Sequence, residues 1–273
     1  MLLSLDSGVS ALDQFQQDLN VIGNNIANVD TVGFKSADME FADALSETLG
    51  SNSAGSEQVG TGVLTSQITN EFTQGSITNT GVSSNLAING NGFFVVKDPS
   101  SGEEYVTRDG DFSVDANGYL VTSTGMRVQG YTGATGTTTG DIQINDTYAP
   151  NGDTSAVQSY TISAGGAVNI TLSDGTEFQG GTILLQNFNA PTQLLSVGNN
   201  LYTGMTNAGP IGTATAPSTN GVGSLTSGAL EMSNVDLASQ LTDLITAQRG
   251  FEANAQTITT SNEVLQDLVN LKH

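Results

Sequence analysis

A heptad pattern of apolar residues at both ends of the chain is the feature that most constrains its fold. Near the C-terminus, one seam with spacings that alternate between four and three residues is interrupted by Gln248 and Asn262. Its apolar members are Leu237, Leu241, Leu244, Phe251, Ala255, Ile258, Leu265 and Val269. This spacing is typical of a helix that packs lengthwise against a second helix. We therefore expect one continuous helix over residues 234–271, about 57 Å long at ~1.5 Å per residue.

The N-terminal segment carries a weaker form of the same pattern. From Leu5 onward, the apolar positions are spaced by seven, three, four, three and four residues, and Gly8 occupies the one vacant place on the seam. The positions after Leu5 are Leu12, Phe15, Leu19, Ile22 and Ile26. Because two such stripes can bury each other, residues 1–49 and 230–273 are predicted to form one helical coiled-coil domain.

A second apolar stripe on the C-terminal segment leaves two interpretations open. Its members are Ala238, Ile245, Val264, Leu268 and Leu271. One partner helix covers only one stripe, so either the helix pair also packs on the protein's own core or the second stripe meets neighbouring copies of the chain. Ser233 and Asn234 offer an N-cap to this helix, with Asp236 in its first turn.

The middle of the chain is predicted to form an antiparallel β-rich body over residues 71–229. Short runs of β-branched and aromatic residues alternate with turn signals there. The strongest hairpin signal is the turn at residues 89–92, between apolar runs at 86–88 and 93–96. Residues 50–70 are expected to act as a polar hinge or connector. Long helical ends around such a body indicate an α+β fold.

Charge and composition exclude several classes of protein. The chain has 27 acidic and 6 basic side chains, for a net charge of −21, so it lacks the cationic face that nucleic-acid binding needs. No run approaches the ~20 apolar residues of a membrane span. There is no cysteine, and His273 is the single histidine, so thiol, triad and zinc chemistry are not expected. The N-terminus lacks the features of a secretory leader, which predicts a cytosolic protein or export by a signal-less route.

No catalytic, cofactor or metal site is predicted. The acidic turn residues Asp109, Asp111, Asp115 and Asn117 lack the spacing and the closing Glu of an EF-hand loop, and turn formation explains them better than metal binding. No pair of carboxylates is brought together as glycoside cleavage requires. A secreted β-rich carbohydrate-binding or hydrolytic protein remains the alternative from a different class.

Four blocks of the sequence resemble the flagellar rod and hook axial proteins. Residues 21–35, which read VIGNNIANVDTVGFK, closely resemble the N-terminal signature of that family. The other blocks are residues 74–94, 107–120 and 227–251. Within the family, residues 22–26, 34–36 and 230–237 are more similar to hook proteins than to distal rod proteins. The chain is short, however, and the place near residues 134–140 where many hook proteins carry an additional outer domain is nearly empty.

The resemblance implies a structural protein without enzymatic activity. It implies a hook protein without a large outer domain, with a distal rod protein as the alternative. Such a protein is exported unfolded through the flagellar type III apparatus and polymerises outside the cell into a helical tube that transmits torque from rod to filament. The implied partners are further copies of the chain, the distal rod protein, the hook cap, the hook–filament junction proteins and the export apparatus.

Two sets of residues are expected to serve assembly. The heptad residues would bury apolar surface between helices and between copies, and the terminal segments would be largely disordered until they pack. The assembly set is Leu12, Phe15, Leu19, Ile22, Ile26, Leu237, Leu241, Leu244, Phe251, Ile258 and Leu265. A junction motif formed by Asn24, Asn25, Gly33, Phe34 and Lys35 is expected to fold the chain back between helix and β body, with Lys35 as a candidate for a salt bridge between subunits.

Overall fold

The protein has an α+β fold, which confirms the predicted fold class. The structure is a computed structural model that describes residues 2–52, 55–133, 136, 138–150 and 155–270. It divides into two units. The terminal unit comprises Met1–Val29, Ser36–Glu71 and Val235–His273, and the β unit comprises Asp30–Lys35 and Phe72–Asn234. Leu271 and His273, which figure in the predictions from the sequence, lie outside the described residues, as does part of the loop at 134–140.

The helices of the described ranges are α1, α2 and α3. They span Leu2–Ala27, Met205–Ala208 and Leu237–Asn270, respectively. At ~1.5 Å per residue, α3 is about 51 Å long. Its cap is Asp236, whose side chain accepts the backbone N–H groups of Ala238 and Ser239, rather than the predicted Ser233 or Asn234. None of the described helices has an apolar stretch long enough to cross a bilayer.

Helices α1 and α3 run antiparallel in the terminal unit. A Cβ placed on Gly8 would lie 3.2 Å from Ile258 Cγ1, and one placed on Gly250 would lie 2.6 Å from Phe15 Cζ. Further along α1, Asn25 contacts Gln240 of α3. The partner positions on α3 thus move backwards as α1 advances. Gly250 leaves the space that the Phe15 ring occupies, since any larger residue would collide with it.

The buried face of α3 matches the predicted seam in part. Leu244, Phe251, Ala255, Ile258 and Leu265 are half-buried as predicted, but residues 240 and 247 are buried and residues 254 and 261 half-buried, each one residue before a seam position. Gln240 is 9% exposed, whereas Leu241 is 50% exposed. Gln240 lies inside because its amide oxygen accepts a hydrogen bond, which removes the penalty for burying it.

Four strands complete the terminal unit. They are β1 (Ala37–Asp43), β2 (Ser46–Asn52), β3 (Gly55–Gly60) and β4 (Val63–Asn70). β1 pairs with β4 and β2 pairs with β3, both antiparallel. The helical part of the N-terminal segment therefore ends at Ala27, well before residue 49. Strands β3 and β4 occupy most of the expected connector at 50–70, and its action as a hinge stays a prediction.

The β unit is built on one large sheet. The strands span Ile77–Asn79 (β5), Leu86–Asn89 (β6), Phe93–Lys97 (β7), Glu104–Thr107 (β8), Phe112–Val114 (β9), Leu120–Thr122 (β10), Arg127–Thr132 (β11), Thr139–Asp141 (β12), Val157–Ile162 (β13), Ala167–Leu172 (β14), Glu177–Ile183 (β15), Leu185–Gln186 (β16), Leu195–Gly198 (β17), Leu201–Thr203 (β18), Ser224–Ser227 (β19) and Ala229–Glu231 (β20). The central path of the large sheet runs β13-β14-β15-β11-β7-β8-β18-β17, and β5 and β6 form separate antiparallel pairs with β20 and β19.

The predicted hairpin around residues 89–92 is not formed. β6 pairs with β19 and β7 pairs with β8, β11 and β16, so the two strands that flank the turn belong to different sheets. Leu86, Ala87 and Ile88 are fully buried in this arrangement. The burial of a strand against distant partners therefore outweighs a local turn signal.

Two apolar clusters form the core of the β unit. The larger includes Leu86, Phe94, Phe112, Ile170 and Leu185. The smaller is aromatic and contains Phe93, Phe188 and Tyr202, with the half-buried Phe72 against it. The acidic residues near the larger cluster serve turns. Asp109 and Asp115 accept the backbone N–H groups of their own loops.

Candidate functional site

The buried side chain of Asn25 ties three segments of the terminal unit together. Its Nδ2 donates to the Ala37 carbonyl oxygen at 2.8 Å and to Gln240 Oε1 at 3.0 Å, and its Oδ1 accepts the Ala37 N–H at 3.0 Å. The side-chain amide thus pairs with Ala37 as a neighbouring strand would. Asn25 is 1% exposed, so each of these polar groups needs its partner. The last turn of α1, the start of β1 and the first turns of α3 are joined by this one residue.

The neighbouring Asn24 is exposed and acts at the helix end. The backbone and side-chain nitrogens of Asn28 donate to the Asn24 carbonyl oxygen, and Asn28 Nδ2 also donates to Asn24 Oδ1. These bonds satisfy groups that the end of α1 leaves without helical partners. Asn24 therefore contributes to helix termination.

Gly33 lets the chain enter the β unit against the backbone of another segment. Its N–H donates to the Glu231 carbonyl oxygen at 2.8 Å, and its φ of +67° lies in the left-handed region. A Cβ there would lie 2.7 Å from the Asp109 backbone nitrogen, so a side chain is excluded. Asn200 Nδ2 donates to the Val32 carbonyl oxygen at 2.6 Å and holds the same turn from the opposite side.

Lys35, Arg108 and Glu231 form a buried ionic cluster in the β unit. Lys35 Nζ donates to Glu231 Oε1 at 2.7 Å and to the Thr73 carbonyl oxygen at 2.6 Å, and Arg108 Nη1 donates to Glu231 Oε2 at 3.2 Å. The Gly75 N–H donates to Glu231 Oε1 at 3.0 Å. The side chains of Lys35 and Glu231 are fully buried, and that of Arg108 is 4% exposed. Glu231 is the one carboxylate that both cations share.

Burial shifts the protonation equilibria around this cluster. It lowers the pKa of the Lys35 ammonium below its usual value, although the charge of Glu231 opposes the shift. Burial lowers the pKa of Arg108 in the same way. It raises the pKa of the Tyr202 hydroxyl to about 12, with Arg108 acting in the opposite direction. The cluster thus combines two basic side chains with one carboxylate.

Apolar side chains remain exposed along α3. Leu237, Leu241 and Ile245 are 43%, 50% and 57% exposed and follow one another at four-residue spacing, so they lie on one face of the helix. Val264 and Val269 are exposed nearer its C-terminal end. Ile245 and Val264 belong to the second predicted stripe, whereas Leu237, Leu241 and Val269 were placed on the first.

Carboxylates and aromatic rings line a groove of about 290 Å³ in the terminal unit. Asp18, Asp38 and Asp243 bring the charge, and the rings of Phe15 and Phe41 lie 5.7 Å apart beside them. Burial, followed by the charges of Asp243 and Asp38, raises the pKa of the Asp18 carboxyl above its usual value. Like charges are therefore held close together where α1 packs.

The predicted site residues fall into separate groups. On α1, Leu12, Phe15, Leu19 and Ile26 are half-buried and Ile22 is buried. Of the junction motif, Asn24 and Asn25 act at the end of α1, whereas Gly33, Lys35 and the half-buried Phe34 belong to the β unit.

Lys35 differs most from expectation. It is buried in an ion pair with Glu231 of its own chain, so it is not available for a salt bridge between subunits. Arg108 and Glu231 were not singled out from the sequence as its partners. Both lie within the family-like blocks, and a signal was present: a chain with only six cations places three of them, Lys35, Arg108 and Arg249, in those blocks.

Three family profiles match the chain. The profile described as "Flagella basal body rod protein" matches residues 5–35, "Flagellar hook protein FlgE/F/G D1 domain" matches residues 87–170, and "Flagellar basal body rod FlgEFG protein C-terminal" matches residues 226–271. The first and third contain most of α1 and all of α3.

Curated relatives match over the whole length. The flagellar basal-body rod protein FlgG of Bacillus subtilis is 41% identical over 280 residues and covers 100% of both chains. FlgG of Borreliella burgdorferi is 33% identical, covering 100% of this chain and 99% of its own. The flagellar hook protein FlgE of Salmonella typhimurium is 30% identical over an alignment of 414 residues, covering 99% of this chain and 100% of its own. On this similarity, the chain belongs to the FlgE/F/G family of flagellar rod and hook proteins, which are structural proteins of the flagellum and not enzymes.

Proposed function

We propose that this chain is a subunit of the distal rod of the flagellar basal body, where copies of it polymerise into a helical tube. The observation that carries this proposal is the end-to-end match with rod proteins named FlgG. The alignment with the hook protein is far longer than the 273 residues of this chain, so that protein contains well over a hundred residues without a counterpart here. The relatives therefore favour the rod alternative over the hook function that the motifs at 22–26, 34–36 and 230–237 suggested.

The terminal helices are proposed to supply the cohesion of the tube. An open helical array needs a heterologous contact that does not close into a ring. Leu237, Leu241 and Ile245 offer apolar surface that α1 leaves exposed, and burying such surface stabilises a contact by ~25 cal/mol per Å². In this arrangement α1 and α3 form the coiled-coil core of each subunit, and the β unit forms the outer body.

Charge supports an apolar basis for assembly. Subunits with a net charge of −21 repel one another, although salt limits this repulsion to ~8 Å at physiological ionic strength. Lys35 is buried in an ion pair with Glu231, and Arg127 is paired with Asp141 of its own chain. Few cations of the described residues remain for ion pairs between copies, so apolar contacts have to outweigh the repulsion.

The apolar surface exposed on α3 is also relevant to how ordered the terminal segments are before assembly. We propose that the terminal segments are largely disordered in the exported chain and fold when they pack among copies. Such a chain passes unfolded through the type III export apparatus and adds to the growing rod. Its proposed partners are further copies of itself and the axial proteins at the two ends of the distal rod.

Deletion of the gene tests the assignment directly. Basal bodies from the deletion strain, examined by electron microscopy, are expected to lack the distal rod and everything beyond it. A complete rod without a hook would instead identify a hook protein and overturn the proposal. Plasmid-borne wild-type chain should restore the rod and motility.

A paired set of variants tests the role of α3. Leu241→Gln combined with Ile245→Gln is expected to abolish rod formation in the deletion strain, because it makes the exposed face of the helix polar. The control combines Leu195→Gln and Val197→Gln on β17, where the side chains are 61% and 53% exposed, and should leave assembly intact. Equal loss of rods in both strains would contradict a specific role for the helix.

A further inference from the structure

A pocket of about 350 Å³ in the β unit combines an apolar floor with hydrogen-bonding groups. Phe72, Phe93 and Phe188 contribute aromatic surface, and Asn91, Asn187 and Asn189 contribute side-chain amides. Arg108 also lines the pocket, with its guanidinium carbon 5.1 Å from the centroid of the Phe93 ring. No carboxylate lies among the described lining residues, although acidic side chains outnumber basic ones 27 to 6 in the chain.

Arg108 has hydrogen-bonding capacity that the protein does not use. Its Nη1 donates to Glu231, but its buried Nε has no partner among the residues that the structure describes. A buried donor without a partner is uncommon in proteins, and it points to a group that the isolated chain lacks. The side chain is 4% exposed, so a ligand that reaches it would be shielded from water.

The charge of the cluster points to the same kind of group. Lys35 and Arg108 share the single carboxylate of Glu231, so the cluster holds two basic groups for one acidic group among the residues that the structure describes. An uncompensated buried charge is strongly unfavourable, and a second carboxylate would neutralise it. Carboxylates bind guanidinium groups through charge-assisted hydrogen bonds, which are stronger than those between neutral groups.

We propose that this pocket binds a carboxylate side chain of a second copy of the chain. The lining of the pocket is the basis for proposing a carboxylate as the ligand. The proposal that this carboxylate comes from a second copy rests on the proposed polymerisation. Every copy presents many carboxylates and, in a tube, does so at high local concentration. The bound carboxylate accepts hydrogen bonds from Arg108 and from the amides at the rim. The contact thereby fixes the position of one β unit relative to the β unit of the neighbouring copy.

Acetate is the probe for the site in the soluble full-length chain. The ¹⁵N-edited NMR signal of the Arg108 Nε–H is expected to shift in a saturable way as acetate is added. Sodium chloride at the same ionic strength should leave this signal unchanged. The Nε–H signal of Arg127, whose Nη1 is already paired with Asp141, should not respond to acetate. A signal of Arg108 that does not respond to acetate would overturn the proposal at the level of the site.

Asn187→Asp tests the pocket with an isosteric change. This half-buried rim residue would then supply a carboxylate of the same chain, so added acetate is expected to bind at least about tenfold more weakly, the scale of one lost charge-assisted hydrogen bond. Asn169→Asp adds the same charge at an exposed site on β14 and should bind acetate as the wild type does. Lys35→Met should also weaken binding, because it removes the surplus positive charge. Unchanged acetate affinity in Asn187→Asp would contradict the location.

Assembly distinguishes the source of the carboxylate. If a second copy fills the pocket, Asn187→Asp should reduce rod formation in the deletion strain, while Asn169→Asp should not. Normal rods from Asn187→Asp would overturn the second copy as the source, even where acetate binds. Acetate binding is measured on the soluble chain and does not depend on whether the chain forms rods. If the rod assignment fails, the acetate result therefore still tests the proposed site.

Discussion

At the level of single residues, the three members of the ionic cluster contribute unequally to its charge balance. Glu231 compensates two cations, whereas each cation is one of two partners of the same carboxylate. Removing one partner of a buried pair is costly chiefly because of the charge that remains. The three residues should therefore differ in what their loss does to the free energy of unfolding.

Substitution of the acid is expected to be far more damaging than substitution of the lysine. Glu231→Gln leaves two buried cations without a counterion and should lower the free energy of unfolding by about 3–5 kcal/mol. Lys35→Met leaves Glu231 and Arg108 as a balanced pair and should change it by less than about 1.5 kcal/mol. Urea unfolding of the full-length chain measures both. Glu104→Gln, at an exposed position, is the control, and equal losses for Glu231→Gln and Lys35→Met would contradict this account.

Tyr202 gives a pH dependence with a defined sign. Its pKa is raised to about 12 in the folded chain, so the unfolded chain loses the hydroxyl proton first, near pH 10. The stabilisation is complete below about pH 10 and is lost as the pH rises towards about 12, by up to about 1.4 kcal/mol per pH unit. Tyr202→Phe should lack this contribution to the slope.

The urea midpoint, followed from pH 8 to pH 11, tests the role of Tyr202. At pH 8 the variant and the wild type should be close, and the wild type should lose more stability above pH 10. Tyr148→Phe, at an exposed position, serves as the control for loss of a hydroxyl. Parallel curves for the wild type and Tyr202→Phe would show that the buried hydroxyl does not titrate as described.

At the scale of elements, α1 and α3 combine good apolar packing with unfavourable charge. Ile258 fits beside Gly8, and Phe15 fits beside Gly250. Near the same surface, Asp18 faces Asp38 and Asp243. The pair is therefore less stable alone at neutral pH than its apolar residues would allow, which is consistent with helices that need further contacts.

Relief of this repulsion should strengthen the helix pair. The pKa of Asp18 is raised, so its contribution favours folding below about pH 4 and is lost as the pH rises through the folded value. Asp18→Asn should therefore stabilise the helices at pH 7 by a few tenths of a kcal/mol after solvent screening, and by less near pH 4. The helical fraction of the soluble chain, followed by circular dichroism at 222 nm at pH 7 and at pH 4, measures this. Asp13→Asn, at an exposed position of α1, is the control, and an equal gain there would contradict a local effect.

The elements also show how far the sequence determines this fold. The heptad spacing predicts both long helices and places Leu244, Phe251, Ile258 and Leu265 towards α1. It does not predict Gln240 at the intervening position, because a buried amide is recognisable only from its partner, Asn25. The turn at 89–92 predicts a hairpin, whereas the pairing of β6 with β19 depends on residues more than a hundred positions away.

The candidate site was predictable in part for the same reason. The junction motif draws attention to Asn25, Gly33 and Lys35 because amides, glycines and rare cations carry local signals. The pairing of Lys35 with Glu231 joins positions far apart in the sequence, and no local spacing encodes it. Once folded, the two residues belong to one cluster.

At the scale of the whole molecule, the similarity to rod proteins confirms the family resemblance found in the four sequence blocks. Matching rod proteins have nearly the length of this chain, and the hook protein is much longer. We propose that the terminal helices drive polymerisation and that the β unit adds specificity. New protection from solvent should therefore appear in the terminal helices when soluble chains become rods.

Amide hydrogen exchange, compared between the soluble chain and purified rods, locates this protection residue by residue. We predict fast exchange over residues 2–27 and 237–270 in the soluble chain and strong protection of the same amides in rods, with smaller changes across β5–β20. Helices that are as protected in the soluble chain as in rods, with new protection confined to the β unit, would contradict a driving role of the terminal helices.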